Sequence, residues 1–305
     1  MRRTIFLFFS LLCATYACTG DAKVNRSDAA GSALPSTAPT EAAPVAEATT
    51  PPATAPDEVP VEAYATTARR PVLDWSPYTV EEAKVEFGSA QLGRLCTNKF
   101  GCVQSTLYPL GWSEDGKFAY LIKKANEAVE DLHLILTIQD MESDEVLASE
   151  TFKASDLPNF REEKDLYTVV KSWEYFWPTF AEQLTAHDIR EGTAGKLLPL
   201  PYRTNGEIYD FQANNQEKTN DLFAVDVVDR HELIAICTDV GQKRILNHQF
   251  GKYDLALRTQ ALGLFRSPFE ARVAVVDGWE KRGYEGPPNV LAFQLVGCKL
   301  GEGFE

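Results

Sequence analysis

The sequence lacks an apolar run of the ~18 residues that a helix needs to cross a bilayer. The apolar stretch at the N-terminus, residues 4–12 (TIFLFFSLL), is about nine residues long, which is typical of the core of a signal peptide. The sequence therefore predicts an exported chain without a transmembrane helix.

Positive charge is also scarce, because the formal net charge is −14. Removal of residues 1–17 takes away Arg2 and Arg3 and leaves −16, of which residues 71–305 carry −13. The sequence has no basic stripe, and an acidic domain repels nucleic acid and anionic lipid head groups. The composition excludes nucleic acid as a partner and weakly favours cationic or divalent-metal partners.

The motifs that mark common enzyme classes are missing. The sequence contains no G-x-S-x-G elbow, H-E-x-x-H, Walker A or strand-borne G-x-G-x-x-G motif. No histidine has a recognisable ligand spacing: the four are His133, His187, His231 and His248. His133 is predicted to be a core or edge residue of a strand, and His187 to complement the dipole at a helix end. The sequence therefore leaves any catalytic residues unassigned, and we predict no cofactor and no metal site.

One acidic segment resembles a calcium loop only faintly. Asp140, Glu142, Asp144 and Glu145 lie within six positions of each other, but the EF-hand glycine and the distal glutamate are absent. A solvated hairpin turn is the preferred interpretation.

Residues 1–18 carry the most informative pattern of the sequence. Arg2 and Arg3 precede the apolar stretch, and the segment T-Y-A-C ends at Cys18. This ending resembles the lipobox of bacterial lipoproteins, in which the cysteine sulfur takes a diacylglycerol and the chain is cut just before it. Ala17 and Cys18 fit that pattern, whereas Thr15 stands where leucine is usual.

The resemblance implies a lipidated Cys18, with residues 1–17 as the signal peptide. Two or more acyl chains give stable anchoring, so Cys18 would hold the protein on a membrane. We favour the outer membrane or the cell surface over the inner membrane. The alternative is ordinary secretion with a free Cys18 thiol, while Cys13 is a poor anchor because Leu12 before it is too large.

Residues 18–70 are predicted to be the lipid anchor and a disordered tether. Ala, Pro, Thr, Ser and Glu dominate, and large apolar side chains are almost absent, so nothing repays the entropy of ordering. A flexible chain of this length spans on the order of 40 Å, and proline extends it further. The segment is interpreted as a stalk for a β-rich globular domain at residues 71–305.

Four cysteines remain in this domain, and an even number in an exported chain favours disulfides. Cys96 and Cys102 enclose the short polar loop T-N-K-F-G, which predicts a local bridge. Cys237 and Cys298 then pair by elimination. A zinc ribbon is disfavoured because no C-x₂-C is present, and buried free thiols remain the alternative for the second pair.

Short apolar runs separated by turn residues dominate the domain, which is an antiparallel β signature. The predicted strands are residues 117–123, 132–139, 146–152, 222–228, 233–238, 244–250, 272–277 and 290–296.

One segment has helical periodicity instead, and it predicts a main helix at about residues 172–187. Its apolar face is expected to dock on the sheet and consists of Trp173, Phe176, Trp177, Phe180 and Leu184. Ser172 is the predicted N-cap and Gly192 the predicted end, and Pro178 would fit in the first turn or at a kink. The fold class is α+β with mostly antiparallel strands, arranged as two β-units or one curved sheet.

Two segments of the domain are similar to each other: W-S-E-D-G-K-F-A-Y-L from Trp112 and R-S-P-F-E-A-R-V-A-V-V from Arg266. The first is similar to the strand that opens a blade in TolB-type β-propellers, so a partial propeller is the alternative fold. The same segments, with G-Y-E-G-P-P-N and F-Q-L-V-G, resemble predicted secreted bacterial proteins grouped as a domain of unknown function, DUF2259. That resemblance implies export and a β-rich fold, and it supplies no catalytic residues.

Three functions stay open at this point. The first is a non-enzymatic, membrane-tethered binding or scaffold module with an envelope protein or cell-wall partner. The second is an envelope hydrolase whose site is assembled from residues distant in sequence. The third is an accessory subunit of an envelope complex. A deep pocket with converging carboxylates and a buried histidine would favour the hydrolase, whereas a shallow groove would favour binding.

Overall fold

The structure is a computed structural model that describes residues 77–125, 132–157, 168–283 and 285–305. All of them belong to the unit Val61–Glu305. The predicted signal peptide, Cys18 and the predicted tether lie outside the described residues. Among the described helices, none is both long and apolar enough to cross a membrane.

The described residues contain three α-helices: the short α1 (Pro77–Glu82) and α2 (Ser89–Leu92), and the long α3 (Val169–Ala186). A 3₁₀ turn covers Ala154–Asp156. The predicted docking face of α3 is confirmed, because Trp173, Phe176, Phe180 and Leu184 are buried in one core with the neighbouring sheet.

The ends of α3 differ from the prediction. Thr168 is the N-cap and accepts a hydrogen bond from the Lys171 backbone N at 3.3 Å. Ser172 lies inside the helix, where its buried Oγ has no hydrogen-bond partner among the described residues. The helix ends at Ala186 with His187 as the C-cap, well before Gly192. Pro178 lies in the interior and removes the N–H that would bond to the carbonyl four residues earlier.

In the part of the chain that the structure describes, thirteen strands form three sheets, and nearly all neighbouring strands are antiparallel. The helix-side sheet has the order β5-β4-β3-β2-β6. Its strands are β2 (Thr106–Trp112), β3 (Lys117–Lys123), β4 (His133–Asp140), β5 (Val146–Lys153) and β6 (Arg190–Glu191).

The middle sheet has the order β1-β13-β12-β11, with β1 parallel to β13. Its strands are β1 (Cys102–Gln104), β11 (Ala256–Arg266), β12 (Arg272–Lys281) and β13 (Asn289–Lys299). The outer sheet has the order β10-β9-β8-β7. Its strands are β7 (Tyr202–Thr204), β8 (Glu207–Asn220), β9 (Val225–Cys237) and β10 (Gly241–Gln249).

The cores between these elements define a layered domain. One core joins α3 to the helix-side sheet, a second joins the other face of that sheet to the middle sheet, and a third joins the middle and outer sheets. The middle sheet is therefore covered on both faces. This explains why residues 272–278 of β12 are all buried and why that stretch reads as a nearly continuous apolar run.

The predicted predominance of antiparallel strands and the single long helix are confirmed. The propeller-like alternative is not confirmed, because propeller blades surround a central channel, whereas these sheets share cores face to face.

The two similar segments both form hairpin tips. Ser113 N donates to the Lys117 carbonyl and Ser267 N to the Arg272 carbonyl, each at 2.9 Å. Gly116 (φ +88°) occupies a conformation that favours glycine, in the turn between β2 and β3. The tips also meet, since a Cβ on Gly116 would lie 2.7 Å from Glu270 Oε1.

Candidate functional site

An open cleft of ≈ 440 Å³ lies beside the start of β11, the edge strand of the middle sheet. We call it the edge cleft, and its lining residues are Gly93, Arg94, Thr97, Asn215, Glu217, Leu257, Arg258 and Thr259. Among the described strands, the outer side of β11 is bridged only at Leu198–Leu264, near the other end. The cleft occupies the part of this edge that is left uncovered.

The segment after α2 forms one wall, and Gln260 fixes it to β11. The Gln260 side chain accepts from Arg94 N at 3.0 Å and donates to the Gln91 carbonyl at 3.1 Å. A Cβ on Gly93 would lie 2.5 Å from Gln260 Nε2, so this approach requires glycine. β8 of the outer sheet supplies a second wall through Glu217, and its Asn215 lines the cleft beside Thr259 of β11.

The predicted bridge between Cys96 and Cys102 is confirmed, and its loop extends the first wall. Thr97 Oγ1 accepts a hydrogen bond from Arg258 Nη1 at 3.0 Å. Asn98 Nδ2 donates to Glu280 Oε1 at 3.4 Å. The disulfide thus ties the loop that contacts β11 and β12 to the start of β1.

Arg258 and Glu280 form the charged base of this wall. Glu280 is 1% exposed and accepts from Arg258 Nη1 at 3.2 Å and from Asn289 Nδ2 at 2.6 Å. The Arg258 side chain is 51% exposed, and all its described hydrogen bonds use Nη1. Its Nε and Nη2 donors have no partner among the described residues and can therefore bind a ligand.

Two further charged groups line the cleft without ion-pair partners among the described residues. These are the guanidinium of Arg94 and the carboxylate of Glu217, both exposed. Two cations on one wall and one anion on the other give the cleft both signs of charge, within a domain that is strongly acidic overall.

Below the cleft lies a buried polar cluster of Asn215, His231, Thr259, Asp277 and Gln294. His231 and Asp277 are 0% exposed, and His231 Nε2 lies 3.0 and 3.1 Å from the two Asp277 oxygens. Gln294 Nε2 donates to Asp277 Oδ2 at 3.1 Å. Since a carboxylate can only accept, Nε2 carries the proton of the imidazole.

The other side of the imidazole faces the cleft wall. His231 Nδ1 lies 2.9 Å from Asn215 Oδ1 and 3.0 Å from Thr259 Oγ1, and Thr259 Oγ1 also lies 2.8 Å from Asn215 Oδ1, so the one hydroxyl proton has two acceptors within reach. Thr259, His231 and Asp277 therefore form a hydroxyl–imidazole–carboxylate chain. Thr259 is 9% exposed and lines the cleft, whereas His231 is fully buried. Of these three groups, the Thr259 hydroxyl is therefore the one that reaches the cleft.

The predicted second disulfide is wrong, because Cys237 and Cys298 are free and buried. Cys237 lies on the outer sheet and Cys298 on the middle sheet, where each acts as a small apolar residue of their shared core. Each thiol is directed at the backbone carbonyl of the following residue, at 3.9 Å for Cys237 and 3.8 Å for Cys298. Burial raises the pKa of the Cys298 thiol to about 11.

Of the four histidines, His231 alone joins this cluster. His133 begins β4, His187 caps α3 and His248 lies in β10. The sequence offered no signal for the other site residues, because Arg94, Glu217, Arg258 and Asp277 are brought together by sheet packing.

The acidic turn has a structural role. Within the part of the chain that the structure describes, no group of acidic, histidine and cysteine residues could hold a metal ion. Asp144 Oδ1 accepts from Gly297 N at 2.7 Å, and burial raises the pKa of Asp144. Glu142 pairs with the buried Arg272 at 3.2 Å, and Arg272 also donates to the Met141 carbonyl at 2.8 Å. The turn therefore joins the helix-side and middle sheets.

No protein-family model, curated protein or solved structure matches this chain.

Proposed function

We propose that the chain is a bacterial envelope lipoprotein, anchored through acyl chains on Cys18, whose folded domain is a non-enzymatic binding module. The T-Y-A-C ending and the Pro-rich stretch behind it support the anchor. A long tether is most useful when something holds its far end. We place the anchor in the outer membrane or at the cell surface.

The edge cleft is the observation that carries the binding function. It offers unpaired charge of both signs and polar side chains, which are the groups that orient a ligand. The imidazole beneath it is fully buried and already bonded on both ring nitrogens, so it has no direct access to a bound substrate. This arrangement favours binding over turnover.

Membrane fractionation tests the anchor in its simplest form. We expect the wild-type protein in the membrane fraction and the Cys18→Ala variant in the soluble fraction. The matched control, Cys13→Ala, should stay with the membrane because its cysteine leaves with the signal peptide. Release of Cys13→Ala together with retention of Cys18→Ala would overturn the assignment of Cys18.

A hydrolase is the second candidate, and the Thr259–His231–Asp277 chain favours it. In that mechanism Thr259 Oγ1 attacks a carbonyl carbon while its proton moves to His231 Nδ1, and Asp277 stabilises the imidazolium. The leaving group departs with that proton, and water later releases the acyl group. A β-lactone probe distinguishes the candidates: labelling of the wild type that Thr259→Val abolishes would establish the hydrolase, and the binding module predicts none.

The two hairpins also support a finer account of the fold, in which the domain contains two related β-units. The two serines are both buried, with exposed fractions of 0% for Ser113 and 1% for Ser267. The backbone N of each serine donates a hydrogen bond of 2.9 Å across its turn. One hairpin lies in the helix-side sheet and the other in the middle sheet.

A further inference from the structure

We propose that the edge cleft binds a short peptide with a free carboxylate at one end and a free ammonium at the other. This inference rests on the proposed binding function and names its ligand class. The cleft volume, ≈ 440 Å³, lies within the range of about 300–1,000 Å³ that is usual for small-molecule sites.

The wall formed after α2 and by β11 fits the carboxylate. Within the described part of the chain, the Nε and Nη2 donors of Arg258 have no partner, and Glu280 with Thr97 fixes its Nη1. Arg94 adds a second guanidinium with no ion-pair partner among the described residues. The planar fork of an arginine matches a carboxylate in two parallel hydrogen bonds, which a point charge cannot do.

The wall formed by β8 fits the ammonium. Glu217 is exposed at the cleft and has no ion pair within the described part of the chain. An ammonium donates up to three hydrogen bonds, and a carboxylate is its natural acceptor. The same carboxylate, with the acidic domain around it, disfavours a dianionic phosphate. The occupant is therefore a zwitterion rather than a simple anion.

The floor between the two walls fits peptide groups. Thr259 donates its one proton within the buried cluster, to Asn215 or to His231, and its oxygen lone pairs can accept from an amide N–H. Asn215 Nδ2 has no partner among the described atoms and can donate to a carbonyl. Leu257 supplies a half-buried apolar contact for a small side chain. Neutral donors and acceptors between two charged ends match a peptide of a few residues.

Calorimetry with three peptides tests this on the full mature protein: tri-alanine with free ends, its N-acetylated form and its C-amidated form. We expect the free peptide to bind, and each cap to weaken binding about 5-fold, which is the upper end for a partly exposed ion pair. Equal affinity for all three peptides, or no heat from the free peptide at millimolar concentration, would overturn the proposal.

Two charge-neutral variants locate the ends. Arg94→Gln should weaken the free peptide about 5-fold and leave the affinity of the C-amidated peptide unchanged. Glu217→Gln should weaken binding of the free peptide about 5-fold and leave the affinity of the N-acetylated peptide unchanged. Arg203→Gln and Glu182→Gln remove exposed charges elsewhere and serve as matched controls. An Arg94→Gln loss that persists with the amidated peptide would contradict the assignment of the carboxylate end.

The outcome separates this inference from the function on which it rests. Recovery of cleaved tri-alanine would show that the domain is an enzyme and so disprove the non-enzymatic module. The proposal that the cleft binds a short peptide with two free ends would still hold. Binding of an uncharged N-acetylglucosamine oligomer that Asn215→Ala weakens, without binding of any peptide, would keep the module and reject the peptide.

Discussion

At the scale of single residues, the buried polar cluster shows how charge is kept inside this domain. Asp277 accepts one N–H of His231, which both carboxylate oxygens share, and one hydrogen bond from Gln294, and its side chain is fully buried. A buried carboxylate is tolerated only when such partners satisfy it. The middle and outer sheets are therefore joined by a polar contact at one end of an apolar core.

Removal of this carboxylate should destabilise the fold. We expect Asp277→Ala to lower the free energy of unfolding by about 3–5 kcal/mol, because the His231 and Gln294 donors lose their buried acceptor. Urea denaturation followed by circular dichroism measures this. Asp226→Ala, an exposed aspartate of β9, is the control and should change the value by no more than about 0.5 kcal/mol. Equal losses in both variants would contradict the account.

The buried thiols make a second prediction at this scale. Iodoacetamide should leave Cys237 and Cys298 unmodified in the folded protein at pH 8, since a pKa of about 11 leaves roughly one Cys298 thiol in a thousand ionised. Both should be labelled after unfolding without reductant, as peptide mass spectrometry would reveal. A disulfide-linked Cys237–Cys298 peptide would contradict the assignment of both cysteines as free thiols.

The same thiol has a consequence for stability against pH. The pKa of Cys298 in the folded state lies above its ordinary value of 9.0. The folded state then binds a proton that the unfolded state releases between pH 9 and about 11. The contribution of this thiol to the free energy of unfolding is complete below pH 9 and is lost as the pH rises to about 11. Cys298→Ala should therefore remove this part of the dependence of the free energy of unfolding on pH.

At the scale of elements, the disulfide loop links a local constraint to the cleft. Loop closure of this length contributes about 2 kcal/mol in the chain-entropy model. We expect Cys96→Ser/Cys102→Ser to lower the free energy of unfolding by that amount and to weaken ligand binding, because Thr97 and Asn98 lose their fixed positions. Lys99→Ala, within the same loop, should change neither quantity in denaturation or calorimetry. Unchanged affinity in the double variant would disconnect the loop from the site.

Prediction from sequence succeeded where an element makes its own pattern. Strand β3 matches residues 117–123 in full, because a buried apolar run follows the D-G turn. The 14-residue β8 was not predicted, since residues 212–219 are polar and mostly exposed. Residues 222–224 were assigned to a strand, yet they form the turn before β9, where Leu222 is 52% exposed.

The site was less predictable than the fold. The local bridge followed from a short loop, whereas Cys237 and Cys298 were paired by elimination without knowledge of their sheets. Arg94, which follows α2, and Glu217, on β8, line the same cleft only after packing, and no periodicity or spacing in the sequence indicates this. A hydroxyl, an imidazole and a carboxylate on three different strands likewise leave no local motif.

At the scale of the whole molecule, the layer order sets where stability concentrates. β12 is flanked by β11 and β13 and covered on both faces, whereas β5 is an edge strand with no buried residue. We expect β12 amides to exchange most slowly and β5 amides much faster in hydrogen-exchange mass spectrometry. Equal protection of β5 and β12 would contradict the layered core.

The proposed function combines this domain with an anchor at the other end of the chain. The edge cleft gives the domain a place for a ligand, and the predicted tether would give it reach from a membrane. Both parts depend on the fate of Cys18, because secretion with a free thiol would leave the domain unattached.

Mass spectrometry of the mature N-terminus, on protein extracted from membranes of the native host, tests this most directly. The account predicts a chain that begins at Cys18, with a diacylglycerol on the sulfur and an acylated amino group. An unmodified Cys18, or a chain cut at another position, would contradict it.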